Sequence, residues 1–247
     1  YLMIMKNITD IIKSIDSNFP NFPNVNPTLI YNEGWMTRLL VKQSMIEKTK
    51  LKGLDFGKIS KWTSEALISS PFVKAGQYRE GYTRVDMALG DFVVNYIKSG
   101  KIIISERAKI FGIIEAKMGS NLSKGTKYFK DYNQASRSLA CICSQTYDKK
   151  NCEIFFIVVA PQIKLEKHKI DNQIDLQNMI QQIRNRFKIY SVSYQAQQNM
   201  DLLLSKAETC SVKSWSYEEW IDAIVDPNSK ELLSVFYEKA KKWNKIK

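Results

Sequence analysis

Ile110-Phe111-Gly112-Ile113-Ile114-Glu115-Ala116-Lys117-Met118 is the stretch whose reading decides the fold. It opens as a near-continuous apolar run, the pattern of a strand covered on both faces of a sheet. An acid and a base then interrupt it, two residues apart. Side chains alternate across a strand, so Glu115 and Lys117 emerge on the same face. Charges at the end of such a strand are costly to bury unless a metal or an ionic partner compensates them. An ion-paired strand end is the plain alternative.

On the C-terminal side comes a polar, glycine-containing loop, Gly119 to Thr126. A helical pattern from Tyr128 to Gln145 follows, with Tyr132, Ala135, Leu139, Ile142 and Cys143 on one face. Glu153 to Ala160 is a second apolar strand, stopped by Pro161. A helix between two strands predicts parallel neighbours joined by a right-handed crossover. On the N-terminal side, Gly81 to Leu89 alternates as a strand and Gly90-Asp91 marks a turn. Phe92 to Ile97 reads as the returning strand and Lys101 to Ser105 as another, an antiparallel meander leading into the buried strand.

Further out, the spacing predicts helices over residues 3–17, Asn32 to Glu47, and Lys58 to Ser70, the last ended by Pro71. Glu33 falls in the first turn of the second of these, where a carboxylate suits the helix dipole. Beyond residue 160 the chain reads as helical: Asp171 to Lys188, Gln195 to Glu208, Tyr217 to Val225 and Ser229 to Trp243, with an edge strand at Ile189 to Tyr194. The expectation is one α/β domain spanning 1–247, with a core over 32–160 and helical decoration over 165–247.

Composition narrows the function. Hydrophobic residues make up 44% of the 247 and aromatics 11%, enough for a sizeable core. Thirty-seven Lys and Arg against 25 Asp and Glu leave a net charge of +12, which favours a polyanionic partner, nucleic acid ahead of an acidic membrane surface. The longest apolar run, Ile154 to Ala160, is too short to cross a bilayer. Cys141, Cys143, Cys152 and Cys210 form no CxxC pair, and with one histidine, His168, they match no usual zinc spacing. They read as reduced thiols of a cytoplasmic protein. A single histidine also argues against triad chemistry. The working groups of an enzyme built from this chain would be carboxylates and lysine.

Those groups stand in a definite order. Glu33 sits on a helix, Asp86 interrupts an apolar strand 29 residues before Glu115, and Glu115-Ala116-Lys117 ends the buried strand. Asp91, at the apparent turn, is the rival for Asp86. In this order the chain resembles the PD-(D/E)XK nuclease superfamily, whose motif is an acid on one strand followed by (D/E)-x-K on the next. Val85-Asp86 stands where the family has Pro-Asp, and Glu115-Ala116-Lys117 matches the second half in full.

The resemblance covers roughly Asn32 to Ala160. It implies a restriction-endonuclease-like core, α-β-β-β-α-β, with a mixed central sheet flanked by helices and extra C-terminal helices. It implies Mg²⁺, with Mn²⁺ as substitute, held by Asp86, Glu115 and the carbonyl of Ala116, hard oxygen ligands of the kind that ion prefers. Lys117 would position the attacking water or stabilise developing charge. Glu33 resembles a helix acid that some members aim at a second metal or its waters. Gln134 resembles a glutamine of the exonuclease-related branch, although Ser138 stands where that branch has tyrosine.

Six basic residues between 105 and 130 suit phosphate contacts around the strand end. The candidates are Lys124, Lys127, Ser120 and Asn121, with Arg137 one turn into the next helix. The expected activity is endonucleolytic cleavage of DNA in a restriction or defence role, for which a homodimer would supply two active sites. A catalytically inactive nucleic-acid-binding module on the same fold is the alternative.

Overall fold

A computed structural model describes residues 26–73, 79–98, 100–125, 129–188 and 194–246. The helix expected over 3–17, Lys127, and the edge strand expected from Ile189 lie outside these, except Tyr194, which begins a helix.

Two asparagines start the chain's first described helices. The Asn26 side chain accepts from Thr28 N–H ahead of α1 (Pro27–Ile30), and Asn32 accepts from Trp35 N–H ahead of α2 (Glu33–Glu47). Such a cap is worth about 1 kcal/mol, because it satisfies an amide that the helix cannot. A small hairpin, β1 (Lys50–Leu51) with β2 (Leu54–Asp55), leads to β3 (Lys61–Ile68) and β4 (Thr83–Gly90). Then come β5 (Phe92–Asn95), β6 (Lys101–Ile104), β7 (Ile110–Ala116), α3 (Gln134–Thr146) and β8 (Glu153–Ala160). The remainder is α4 (Gln162–His168), α5 (Ile170–Gln173), α6 (Leu176–Lys188), α7 (Tyr194–Glu208), β9 (Ser211–Ser216), α8 (Tyr217–Asp222) and α9 (Pro227–Trp243).

Seven strands form one mixed sheet in the order β5-β6-β3-β4-β7-β8-β9. Strand β4 is antiparallel to β3 and to β7, whereas β7, β8 and β9 run parallel. Every residue of β7 is buried, as its apolar run predicts. Its odd positions, Phe111 and Ile113, pack with residues of α3, α6 and α7. Its even positions, Ile110, Ile114 and Ala116, pack with residues of α2, α8 and α9. The sheet is thus sandwiched between two helical layers, and Glu115 and Lys117 fall on the α3 side. Among the described residues no helix is long and apolar enough to cross a membrane, and all four cysteines are buried and free.

Four expectations need correction. Residues 61–68 form a strand, not a helix. Glu65 adopts a left-handed backbone, φ 58°, and at this point the strand turns over. Trp62 packs on the α2 side, whereas Ala66 and Ile68 join the α3 side. Trp62 and Ala66 stand four residues apart with only polar residues between them, one helical step, and so the stretch reads as a helix. The second correction concerns β5, which does not return along β4. It pairs antiparallel with β6, and this hairpin joins the sheet through the Leu67–Lys101 pair of β3 and β6, leaving the place beside β4 to β7. Third, residues 211–216, where no strand was expected, form β9, which extends the parallel sheet beside β8. Its sequence, Ser-Val-Lys-Ser-Trp-Ser, lacks an apolar run because most of it is only half-buried, and Trp215 supplies the main anchor. Fourth, the helix expected over 171–188 is two, broken at Ile174 and Asp175.

Candidate active site

The site lies where β4 and β7 part. Their pairing runs from Gly90–Phe111 to Met87–Ile114 and stops there. The next opposed residues, by the same register, are Asp86 and Glu115. In place of a ladder acceptor, Asp86 Oδ2 takes the Ala116 N–H at 2.8 Å. On its other side β7 stays paired with β8 as far as Ala116–Val159. The strained Glu65 faces this same point, since the Glu65–Asp86 pair is missing from an otherwise regular β3–β4 register. Non-glycine residues in that backbone region cost about 1–3 kcal/mol and cluster at working sites.

Lys117 Nζ donates to Glu115 Oε1 at 2.7 Å and stands 3.9 Å from Asp86 Oδ2. Glu115 is 2% exposed and Lys117 7%. Gln134, the first residue of α3, donates its side-chain amide to the same Glu115 oxygen. Glu33 reaches across from α2, its Oε2 accepting the Met118 N–H at 2.6 Å, with Ser120 Oγ 3.5 Å from Oε1. Asn32 caps the helix, which leaves Glu33 free to tie down the segment after β7. Asp86, Glu115, Lys117, Glu33 and Gln134 are therefore gathered at one end of the sheet.

Asp91 lies elsewhere. It is five residues further along, about 17 Å at the rise of a strand. Its carboxylate accepts from Ser60 Oγ at 2.7 Å and from the N–H groups of Lys109 and Ile110 at 2.8 and 3.3 Å. Partial burial works against its charge, yet these hydrogen bonds, Ser60's first, hold its carboxyl below the usual value. Asp91 fixes a turn.

The expected phosphate contacts divide. Ser120, Asn121 and Lys124 are exposed on the loop after β7. Arg137 faces away from the cluster and pairs with the buried Glu80 at 3.6 Å, which Arg186 also meets at 3.2 Å. Sequence reasoning missed Lys164. Pro161 ends β8 and α4 begins at once, so its first turn stands beyond the strand ends, where ligands of parallel sheets bind. Lys164 Nζ donates to the Ser120 carbonyl at 3.0 Å. Burial first, and then the nearby charges of Lys167 and Lys117, lower its pKa against the pull of Glu33. The only signal in the sequence was its place as the first basic residue after a buried strand.

Burial, and then the charge of Asp86, raise the Glu115 carboxyl from 4.5 to about 8, overriding the ammonium of Lys117. Lys117 itself is held above its ordinary value: burial opposes its charge, but Glu115 and Asp86 outweigh it. A raised carboxyl pKa means that the folded chain retains a proton that the unfolded chain releases above pH 4.5. The contribution of Glu115 to the stability of the metal-free protein is then full below that pH and is lost as pH climbs to about 8. Between about pH 5 and 8 in EDTA the melting temperature should drop by roughly 3–5 °C per pH unit, from about 1.4 kcal/mol per unit. Glu115→Gln should flatten that slope, and parallel slopes for the two proteins would refute the assignment.

Searched against family models, curated proteins and solved structures, the chain matches none of them.

Proposed function

We propose that the protein is a Mg²⁺-dependent nuclease of the PD-(D/E)XK type that cleaves DNA endonucleolytically. The observation that carries this reading is the meeting of Asp86, Glu115 and Lys117 where β4 and β7 part. The element order supports it too. Helix α2, strands β3, β4 and β7, helix α3 and strand β8 follow the α-β-β-β-α-β sequence of that core, with the β5–β6 hairpin inserted before β7.

The donor set fits a hard cation. Among the described residues no three His, Cys, Asp or Glu side chains stand close enough to hold one metal ion, and Glu33 is committed to the Met118 N–H. An ion would take two carboxylates, Asp86 and Glu115, and complete its shell from backbone oxygen, with Ala116 the nearest source by sequence, and from water. Mg²⁺ keeps several waters, whereas Zn²⁺ favours three or four protein ligands. A buried carboxyl held protonated by a neighbouring carboxylate gains most from such an ion. Bound there, Mg²⁺ would polarise the phosphate and acidify a water.

The chain's own groups do the rest. Lys117 remains an ammonium, which suits it to stabilise negative charge on the phosphate and not to abstract a proton. Gln134 fixes the rotamer of Glu115, and Glu33 anchors the loop that would face the strand. Lys164 and Lys124 offer positive charge for the backbone.

One observation favours the second reading, an inactive nucleic-acid-binding module: Glu115 Oε1 already satisfies both Lys117 and Gln134. Supercoiled plasmid separates the two. Wild-type protein should nick or linearise it with Mg²⁺ or Mn²⁺, and EDTA should abolish this. Retention of plasmid in a gel shift with no cleavage under any divalent ion would favour the inactive module.

A further inference from the structure

A groove beside the cluster has an unusual lining. It lies between the turn that precedes α3 and one face of α6, with a volume of about 580 Å³, more than one nucleobase needs. Seven of its twelve lining residues are asparagine or glutamine. Beneath it the guanidinium of Arg186 is fully buried, 3.9 Å from the centre of the Phe129 ring and 4.2 Å from that of Phe72, and it holds the half-buried Phe129 ring at the groove wall. Tyr132, itself buried, packs edge-on against Phe72 and supports this wall from below.

The amides are not equivalent. Asn133 is structural, since its Oδ1 caps α3 and its Nδ2 donates to the Gln173 carbonyl at 3.2 Å. Gln182 is half-committed. Its Oε1 accepts from Asn133 N–H at 3.0 Å and from Ser136 Oγ at 2.9 Å, which fixes the amide and points its NH₂ away from those partners. Asn185 likewise spends its oxygen on Gln181, at 2.9 Å, and keeps its NH₂. Asn178 and Asn172 make no side-chain hydrogen bond among the described residues and are exposed. Asn178, Gln182 and Asn185 recur at i, i+4 and i+7, so they form one stripe of α6. The opposite stripe, Met179, Ile180, Ile183 and Phe187, is buried. The groove therefore offers whole carboxamides at Asn172 and Asn178 and NH₂ donors at Gln182 and Asn185.

We propose that this groove binds one nucleobase of the strand that enters the site, and that adenine is preferred. Carboxamides match the adjacent donor and acceptor on the adenine edge, and each bidentate pair discriminates by about 1–3 kcal/mol. The half-buried Phe129 ring supplies a surface on which any base can stack. The groove adjoins the site through consecutive residues, since Asn133 lines it and Gln134 holds Glu115. A base held there would lie along the same strand as the phosphate at Asp86 and Glu115. The proposal deepens the nuclease reading and rests on it for the identity of the ligand.

The test is binding of fluorescent twelve-nucleotide strands of dA, dC and dT in EDTA, where no cleavage interferes. Wild-type protein should bind dA about tenfold more tightly than dC or dT. Asn178→Ala and Asn172→Ala, at exposed positions, should together bring the three within about twofold and leave the melting temperature within about 2 °C of wild type. Equal binding of the three strands by wild type, or a dA preference that survives both substitutions, would overturn the base site even if cleavage is vigorous. A dA preference lost in the double variant, in a protein that never cleaves, would uphold the base site and remove the nuclease.

Discussion

Lys117→Met protein should cleave plasmid about a thousandfold more slowly than wild type at saturating Mg²⁺, while still binding DNA. Methionine keeps most of the buried stem, so packing changes little, and the ammonium alone is removed. That ammonium sits 2.7 Å from one carboxylate and 3.9 Å from the other. Deleting one preorganised stabiliser of transition-state charge typically slows a reaction 10²–10³-fold. Here the loss should lie at the upper end, because Glu115 would also remain buried without its cation. Asp86→Ala and Glu115→Ala should be at least as slow, since each removes one of the two side-chain ligands proposed for the ion. Lys117→Arg keeps the charge but not the compact geometry of an ammonium and should recover part of the rate. Strand binding in EDTA and a thermal melt check that the variants still fold. Lys117→Met cleaving within a few-fold of wild type would remove Lys117 from the chemistry.

Much of that site was legible before any coordinates. An apolar strand is a conspicuous signal, and a charge inside one is costly, so Asp86, Glu115 and Lys117 declared themselves by interrupting burial. Asp91 could be set below Asp86 for the converse reason, that turns welcome aspartate. Lys164 carried no such signal. It is one lysine among many, and only the position of α4 beyond the end of β8 gives it a role. Arg137 misled because, although it shares a helix face with Gln134, its long side chain reaches the buried Glu80, a partner distant in sequence that no spacing reveals.

The fold was legible wherever one periodicity ran through an element. It failed at β3, where the polar run Thr63 to Glu65 leaves Trp62 and Ala66 one helical step apart and hides the alternation of a strand. The inversion at Glu65 then places these two residues on opposite faces of the sheet. It failed again at β5, because strand identity does not reveal pairing partners. The edge strand β9 escaped notice because a strand that is mostly half-buried needs few apolar residues.

Gly90→Ala should destabilise the protein more than any substitution at the site, by about 4 kcal/mol. Gly90 ends β4 at φ 125°, a conformation that side chains rarely adopt. A Cβ there would stand 2.1 Å from the Ile110 carbonyl oxygen and 2.8 Å from Phe111 Cα. Both are backbone atoms of the buried strand β7, so neither can swing aside as a side chain would. Backbone strain of about 1–3 kcal/mol adds to overpacking of about 1–3 kcal/mol. Domains of this kind have a net stability of about 5–15 kcal/mol, so the loss is a large share. The melting temperature should fall by roughly 8–16 °C. Gly81→Ala, whose Cβ would meet nothing within 4 Å, is the control and should melt within about 2 °C of wild type. The consequence reaches the chemistry, because the Gly90–Phe111 pair begins the register that sets Asp86 opposite Glu115. If β4 shifts to relieve the clash, the two carboxylates separate. Cleavage measured well below the melting temperature should then fall along with stability. Gly90→Ala melting like wild type would show that β4 and β7 can part at their paired end too, and the register would no longer explain how the acids meet.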